Sequence, residues 1–298
     1  MQTQKTKQAI KKLKHLFGNS SVNIEKFRND IEKVFACPIL PNRVECFAET
    51  INSVPCDVLV PQVCSTSRVI LYVHGGSFVG GSPASWRGFC ASLAHIACTK
   101  IIIPHMKLAP QYPFPAAFDD IKHVVKELYT RPESITLIAD SSGTNIALPV
   151  VFKIKGNFRK KINEIFLLSP WLDLSMYSQP EKPFKKPGKD TVLNPACVQW
   201  SSELYTYSEN LQNPLISPVF ATDTMLENLP PVYIQIGENE LFEQNAVEFQ
   251  KRLKNLGIPC IIDKWKGMMP MFQMADDFLP EAHAAIEKVG TYLKKGYF

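Results

Sequence analysis

The chain has 298 residues, 45% of them hydrophobic, with 23 prolines and 14 glycines to make turns. That much apolar material can fill one large core, so a single domain over residues 1–298 is expected. A formal charge of +5, dispersed apart from one basic stretch near the start, does not call for a nucleic-acid surface, and no nucleic-acid partner is expected. The eight cysteines (Cys37, Cys46, Cys56, Cys64, Cys90, Cys98, Cys197 and Cys260) form no C-x-x-C pair and no Cys/His spacing of the zinc type. They read as small apolar residues in a reducing compartment, with no metal and no cofactor. The N-terminus lacks the uninterrupted apolar stretch of a signal peptide, and no apolar run is long enough to span a bilayer. A cytoplasmic protein without a transmembrane segment is the expectation.

In chain order, residues 4–17 place Ile10, Leu13, Leu16 and Phe17 at helical spacing, and 21–35 repeat the pattern with Val22, Ile24, Phe27, Ile31 and Val34. Two amphipathic helices therefore open the chain. From Arg43 the period shortens: VECFAETI, CDVLV and RVILYV are β-branched, apolar runs separated by turn residues. Strand-like runs then alternate with helix-like stretches. The strands are TKIIIP, SITLIAD, KINEIFLLS, PVYIQIG and CIIDKW, and the helices begin near Ala84, Ala116, Ser142, Ala246 and Pro280. Alternating β and α units imply an α/β fold, with a mostly parallel sheet and helices on both faces. One interval breaks the rhythm. Between Trp171 and Pro230 lie a Pro- and Lys-bearing loop (SQPEKPFKKPGKD) and an aromatic-rich helix candidate, PACVQWSSELY. This reads as an insertion folding over the carboxyl ends of the strands, where open α/β sheets bind ligands.

Two short motifs carry chemistry. His74-Gly75-Gly76-Ser77 directly follows the buried strand RVILYV, and adjacent glycines let backbone N–H groups approach a small anion closely. Ala139-Asp140-Ser141-Ser142-Gly143 lies between the strand SITLI and a helix, and fits the G-x-S-x-G nucleophile elbow with alanine for the first glycine. Ser141 is then the nucleophile candidate. The N–H groups of Gly75, Gly76 and Ser142 are the candidate oxyanion donors. Each motif alone has an ordinary explanation, a glycine turn or an Asp-Ser helix cap. Their joint presence is what points to acyl transfer.

The order HGG, then D-S-x-G, with LAPQYPFPAAFDD between them, resembles the hormone-sensitive-lipase family of carboxylesterases. The likeness extends to SPWLDLS, PPVYIQIGENELF and FLPEAHAAIEKVGTYL. It implies an α/β-hydrolase fold, a small helical cap built from about 1–35 plus an insertion at about 172–215, and a Ser-His-acid triad beneath. The acid matching the family is Glu240. Where the family places its histidine, in a phrase like G-M-x-H-x-F-Q, this chain reads Gly267-Met268-Met269-Pro270-Met271-Phe272-Gln273, so Pro270 occupies the position of the base. Thr144, Met106-Lys107 and Gln111 are further departures, expected to loosen polar support around the site.

A serine hydroxyl needs a base to take its proton, and the same base must later protonate the leaving alcohol. Losing a triad member costs on the order of 10⁴–10⁶ in turnover. The resemblance therefore implies an esterase- or lipase-like hydrolase with a degenerate triad and weak or no turnover. The alternative is a non-catalytic protein using the same pocket for a small acyl ester or carboxylate. Related esterases often pair through a sheet edge or the last helix, which leaves a homodimer open.

Overall fold

The computed structural model describes residues 4–17, 23–37, 39–154, 156–176, 190, 192–238, 240–276 and 279–295. Most of the loop SQPEKPFKKPGKD lies outside them. Eight strands make one sheet: β1 (Glu45–Ile51), β2 (Val54–Val60), β3 (Ser65–Val73), β4 (Thr99–Pro104), β5 (Ser134–Asp140), β6 (Ile162–Leu168), β7 (Val232–Gly237) and β8 (Cys260–Trp265). Their spatial order is β1-β2-β4-β3-β5-β6-β7-β8. The β1/β2 and β2/β4 pairs are antiparallel and all others parallel. The apolar run Val69–Val73 follows from this placement, because a central parallel strand is covered on both faces and has no solvent side to alternate toward.

Two helix pairs cover the sheet. α3 (Pro83–Ala97) packs on α9 (Pro280–Lys295), and α4 (Ala116–Leu128) packs on α5 (Thr144–Lys153). α8 (Glu243–Asn255) lies against β7 and β8. At Gly290 a Cβ would stand 2.3 Å from Ile96 Cγ2, so the α3/α9 contact is close enough to require glycine there. β4 lies on one side of β3 and β5 on the other, so the chain reverses its direction of travel across the sheet at β3. The loops leaving the carboxyl ends of β3 and β5 diverge at that switch point, and a crevice opens between them. The glycine loop leaves β3 and the serine corner leaves β5. Val73, one residue before the glycine motif, and Ala139, which opens the serine motif, are register partners.

The opening helices are α1 (Gln4–Phe17) and α2 (Ile24–Val34), the latter capped by Asn23, whose Oδ1 accepts from the Lys26 amide at 3.0 Å. α2 is fastened onto the glycine loop. Arg28 donates from Nε to the Val79 carbonyl (2.7 Å) and from Nη2 to the Ala109 carbonyl (3.0 Å), and a Cβ at Gly80 would strike the Phe27 ring at 2.8 Å. The aromatic-rich insertion forms α6 (Pro195–Tyr205), and Trp200 meets Phe27 edge-on at 6.2 Å. α1 sends Ala9 and Leu13 into a separate apolar cluster with Val192, Met268, Met269 and Phe272. Met268 and Met269, just before the Pro270 position, are thus core for the N-terminal helix.

Candidate active site

The serine corner is strained in the manner its sequence predicts. Ser141 has φ +46°, a left-handed conformation that costs a residue with a side chain on the order of 1–3 kcal/mol, and it opens a short 3₁₀ turn leading into α5. Its surroundings leave no room for a looser arrangement. A Cβ at Gly143 would lie 2.2 Å from the Val73 carbonyl oxygen, and one at Gly75 would lie 2.3 Å from Asp140 Oδ2 and 3.1 Å from Ser141 Cβ. The two glycines allow β3, its following loop and the corner to touch. Ser141 is partly exposed, whereas Asp140 and Ser142 beside it are buried.

In front of Ser141 is a hollow of only about 20 Å³, room for roughly one water molecule. Gly76, Ser77, Asp140, Ser141 and Trp86 form one side. Pro270, Met271 and Met274 form another, and Phe17, Phe35, Val192 and Leu193 cover it. Of the residues singled out from sequence, Gly76, Ser141 and Pro270 therefore share one space. Gly75, Ser142 and Glu240 are buried around it without lining it, and Ser77 takes a place at the hollow that sequence reading did not assign. A larger cleft of about 940 Å³ lies elsewhere, between Arg159, the start of β6 and the Pro230-Pro231 turn, and touches none of these residues.

Two buried carboxyls flank the corner. Asp140 Oδ1 accepts from Tyr72 Oη (2.8 Å) and Trp86 Nε1 (2.9 Å). Burial nevertheless pushes its pKa up to about 7, against the hydrogen bonds from Tyr72, the Gly75 amide and Trp86. Glu240 Oε1 accepts from the Gly237 amide (2.6 Å) and Ser169 Oγ (2.8 Å), while its Oε2 is buried without a hydrogen-bond partner among the described residues. Burial raises this carboxyl well above the usual range, and the nearby charges of Asp190 and Glu243 add to the effect. Ser169 was not singled out from sequence. Its hydroxyl also accepts the Met271 amide at 3.1 Å and so ties the Pro270 segment to Glu240. Its position at the end of β6, within SPWLDLS, was the available signal. Asp190 was missed too. It accepts from the amides of Val192, Leu193 and Leu241, holding the insertion against the Glu240 turn.

Among the described residues no histidine lines the hollow. His74 is buried, with Nδ1 2.7 Å from the Gly75 carbonyl oxygen and its ring 4.8 Å from Trp86, and burial lowers its pKa to about 4. His105 lies 3.0 Å from Asp57, and His283 contacts Asp276 and Glu287. The substituted residues differ in their polar support: Thr144 Oγ1 is buried without a hydrogen-bond partner among the described residues, whereas Lys107 and Gln111 are paired. Lys107 bonds Asp120 through both its amide (2.9 Å) and its Nζ (2.6 Å), and Gln111 accepts from Arg28 at 2.8 Å.

A family model described as the alpha/beta hydrolase fold matches residues 70–274, which hold both motifs and the Pro270 segment. The chain belongs to the α/β-hydrolase fold family. It is 28% identical over 230 residues to an acetyl-hydrolase of Streptomyces hygroscopicus, covering 76% of this chain and 75% of that one. It is 28% identical over 233 residues to an esterase of Acinetobacter venetianus, with 76% and 75% covered. A solved esterase of the bacterial hormone-sensitive lipase family superposes with a TM-score of 0.84 at 24% identity, covering 99% of both chains. This α/β-hydrolase thus sits in an esterase- and lipase-type hydrolase family and shares the fold of that solved esterase. No helix among its described residues is long and apolar enough to cross a membrane.

Proposed function

We propose that this α/β-hydrolase carries a carboxylic-ester hydrolase site with a degenerate triad, with weak or no turnover. In this reading Ser141 is the nucleophile, Glu240 the acid, and the amides of Gly75, Gly76 and Ser142 the oxyanion donors. Gly76 is the best placed of the three, because it lines the hollow. Pro270 stands where the base would be. The observation that carries the reading is the left-handed Ser141 opening onto the same 20 Å³ hollow as Gly76 and Pro270. A strained serine persists only where the surroundings over-determine it, and such strain clusters at reactive sites. The cap of about 1–35 and 172–215 belongs to the same proposal, as does a reducing, cytoplasmic setting for its eight free cysteines.

The chemistry follows from what remains. Ser141 keeps its proton at neutral pH because no imidazole faces it, so attack on an ester carbonyl is slow and expulsion of the alcohol lacks an acid. Oxyanion donors and binding alone still supply about 10³–10⁴ over water. An activated aryl ester would therefore acylate Ser141 slowly. A second reading, a non-catalytic pocket for a small acyl ester or carboxylate, is favoured by the absence of any histidine from the lining.

Pro270→His tests the first reading. Turnover of p-nitrophenyl acetate should rise at least about tenfold, a fraction of the roughly 10²–10⁴ a positioned base supplies, and a fluorophosphonate should label Ser141 faster. Labelling of another serine, or of none, in both proteins would remove Ser141 from the role. Saturable carboxylate binding with no gain in Pro270→His would select the second reading.

A further inference from the structure

The charge of this chain is not spread over its surface. Residues 4–17 hold five lysines and no aspartate or glutamate, a charge equal to the net +5 of the whole sequence, so acids and bases balance across everything outside α1. The lysines stand on the outer side of the helix. Thr6, Ala9, Leu13 and Leu16 are buried against the body, while Lys5, Lys7, Lys11 and Lys14 are exposed and Lys12 is half-buried. Steps of four and three residues align Lys7, Lys11 and Lys14 along one face, each about a helical turn from the next. Among the described residues, Lys5, Lys7, Lys11 and Lys14 form no ion pair, and on α2 the acid that feels His15, Asp30, is already bonded to Lys26. Beside the row an open depression of about 590 Å³ is lined by Gln8, Lys11, Lys12, Lys14, His15 and, from the end of α2, Val34. This arrangement works against the helix itself. Like charges at these spacings repel, and Lys5 and Lys7 sit at the end where the helix dipole disfavours cations.

We infer that the outer face of α1 docks this protein on an anionic phospholipid surface, with headgroup phosphates and carboxylates seated among the lysines. The partner must supply dense negative charge and little else, because the apolar stripe of α1 is already occupied by the protein core. Ala9 and Leu13 pack with Met268, Met269 and Phe272, so α1 cannot lay that stripe into a bilayer or into a partner's groove without leaving the fold. Contact is therefore through charge, at the level of the headgroups. A bilayer fits this face better than a nucleic acid does. The face carries lysine point charges on flexible stems, with no arginine fork to grip single phosphates and no exposed Phe, Tyr or Trp to stack on bases. The docked helix also bears on the site, since Phe17, its last residue, covers the hollow at Ser141. The inference concerns where the protein sits, and it holds whether or not Ser141 turns over.

The full-length chain would be mixed with phosphatidylcholine vesicles, with and without about one-third phosphatidylserine, and bound protein read by co-sedimentation. At about 0.1 M salt it should bind the phosphatidylserine vesicles at least about tenfold more tightly than phosphatidylcholine alone. Raising salt to about 1 M, which shrinks the screening length from about 10 to about 3 Å, should release it. Each lysine near an anionic surface is worth on the order of fivefold in affinity. The triple variant Lys7→Gln, Lys11→Gln, Lys14→Gln should therefore bind at least about thirtyfold more weakly, with a thermal midpoint unchanged or raised because the repulsion along the helix is relieved. Lys11→Glu alone, which reverses the charge at the centre of the row, should weaken binding at least about tenfold and gives the readout should the triple variant fold poorly. Lys126→Gln, Lys251→Gln, Lys254→Gln removes the same net charge from exposed positions on α4 and α8, and should weaken binding less than about threefold. Equal losses in the two triple variants would reduce the effect to net charge and overturn the docking face. No binding to vesicles, or equal binding to both kinds, would overturn it as well. Tighter α1-dependent binding to a short duplex DNA than to phosphatidylserine vesicles would overturn the lipid assignment and give the face to a nucleic acid.

Discussion

The two carboxyls beside the serine corner share one pattern, two donors on one oxygen and none on the other among the described residues, but sit in different surroundings. Asp140 lies on the glycine-loop side, with Tyr72 and Trp86 on one oxygen and the Gly75 amide helping to hold its charge. Glu240 lies on the β7–β8 side with two donors on Oε1 and none on Oε2. The nucleophile side is a tight assembly in which strain, glycine contacts and a carboxyl fit one another. On the acid side Glu240 is joined to the Pro270 segment through Ser169, whose hydroxyl donates to Glu240 and accepts the Met271 amide.

The largest effect should come from breaking the tight side. Gly143→Val places its Cβ within clash distance of the Val73 and His74 carbonyl oxygens, which belong to a central strand end and cannot shift cheaply. A loss of at least about 3 kcal/mol in urea unfolding, or failure to fold, is expected. A variant with an unchanged midpoint would mean that the corner is looser than its geometry.

Next in size is the pH dependence of the Asp140 pocket. Its folded pKa of about 7 lies above the ordinary aspartate value of 3.8, so the folded state favours the protonated form. The stability it contributes is fully present below about pH 4 and is lost as pH rises to about 7. Asp140→Asn retains an acceptor for Tyr72 and Trp86 but cannot ionise. The fall in unfolding free energy between pH 5 and 8 should shrink by roughly 1–3 kcal/mol in this variant. Parallel profiles for both proteins would show that Asp140 does not govern this window.

A smaller effect, with the opposite sign, is expected at the serine itself. Ser141→Gly removes the side chain from a left-handed position and should stabilise by about 1 kcal/mol, while abolishing fluorophosphonate labelling. Stabilisation on losing the reactive group is the mark of a residue kept for chemistry. A loss of stability would mark the hydroxyl as structural.

Much of this was legible in the residues. The strand runs fell where β1–β8 stand, because period and β-branching record burial on one face or both, and PACVQWSSELY is α6 from end to end. Gly76 and Ser141 converge because β3 and β5 are adjacent parallel strands, and Pro270 reaches them on the loop after β8, across the ends of β6 and β7. Partners set by packing between distant segments were not legible. Ser169 and Asp190 depend on where β6, the insertion and the Glu240 turn meet, and no local period encodes that. The same holds for the pairs Lys107–Asp120 and Gln111–Arg28, which join residues distant in sequence or on different elements.

The smallest expected change sharpens the comparison most. If Glu240 is neutral in the folded chain, as its burial and empty Oε2 favour, Glu240→Gln exchanges one uncharged group for another of the same shape. Oε1 would still accept from Gly237 and Ser169, so the urea midpoint at pH 7 should move by no more than about 1 kcal/mol. An ionised Glu240 holding this turn by its charge would instead cost about 3–5 kcal/mol when removed. The difference should reverse once a base is supplied. In the Pro270→His background the imidazolium formed during attack would draw Glu240 into its charged form, and Glu240→Gln should then cancel most of the recovered turnover while stability again changes little. Equal turnover with and without the carboxyl in that background would mean that Glu240 is a structural remnant only, and that the acid side of this site cannot be rebuilt by restoring the histidine.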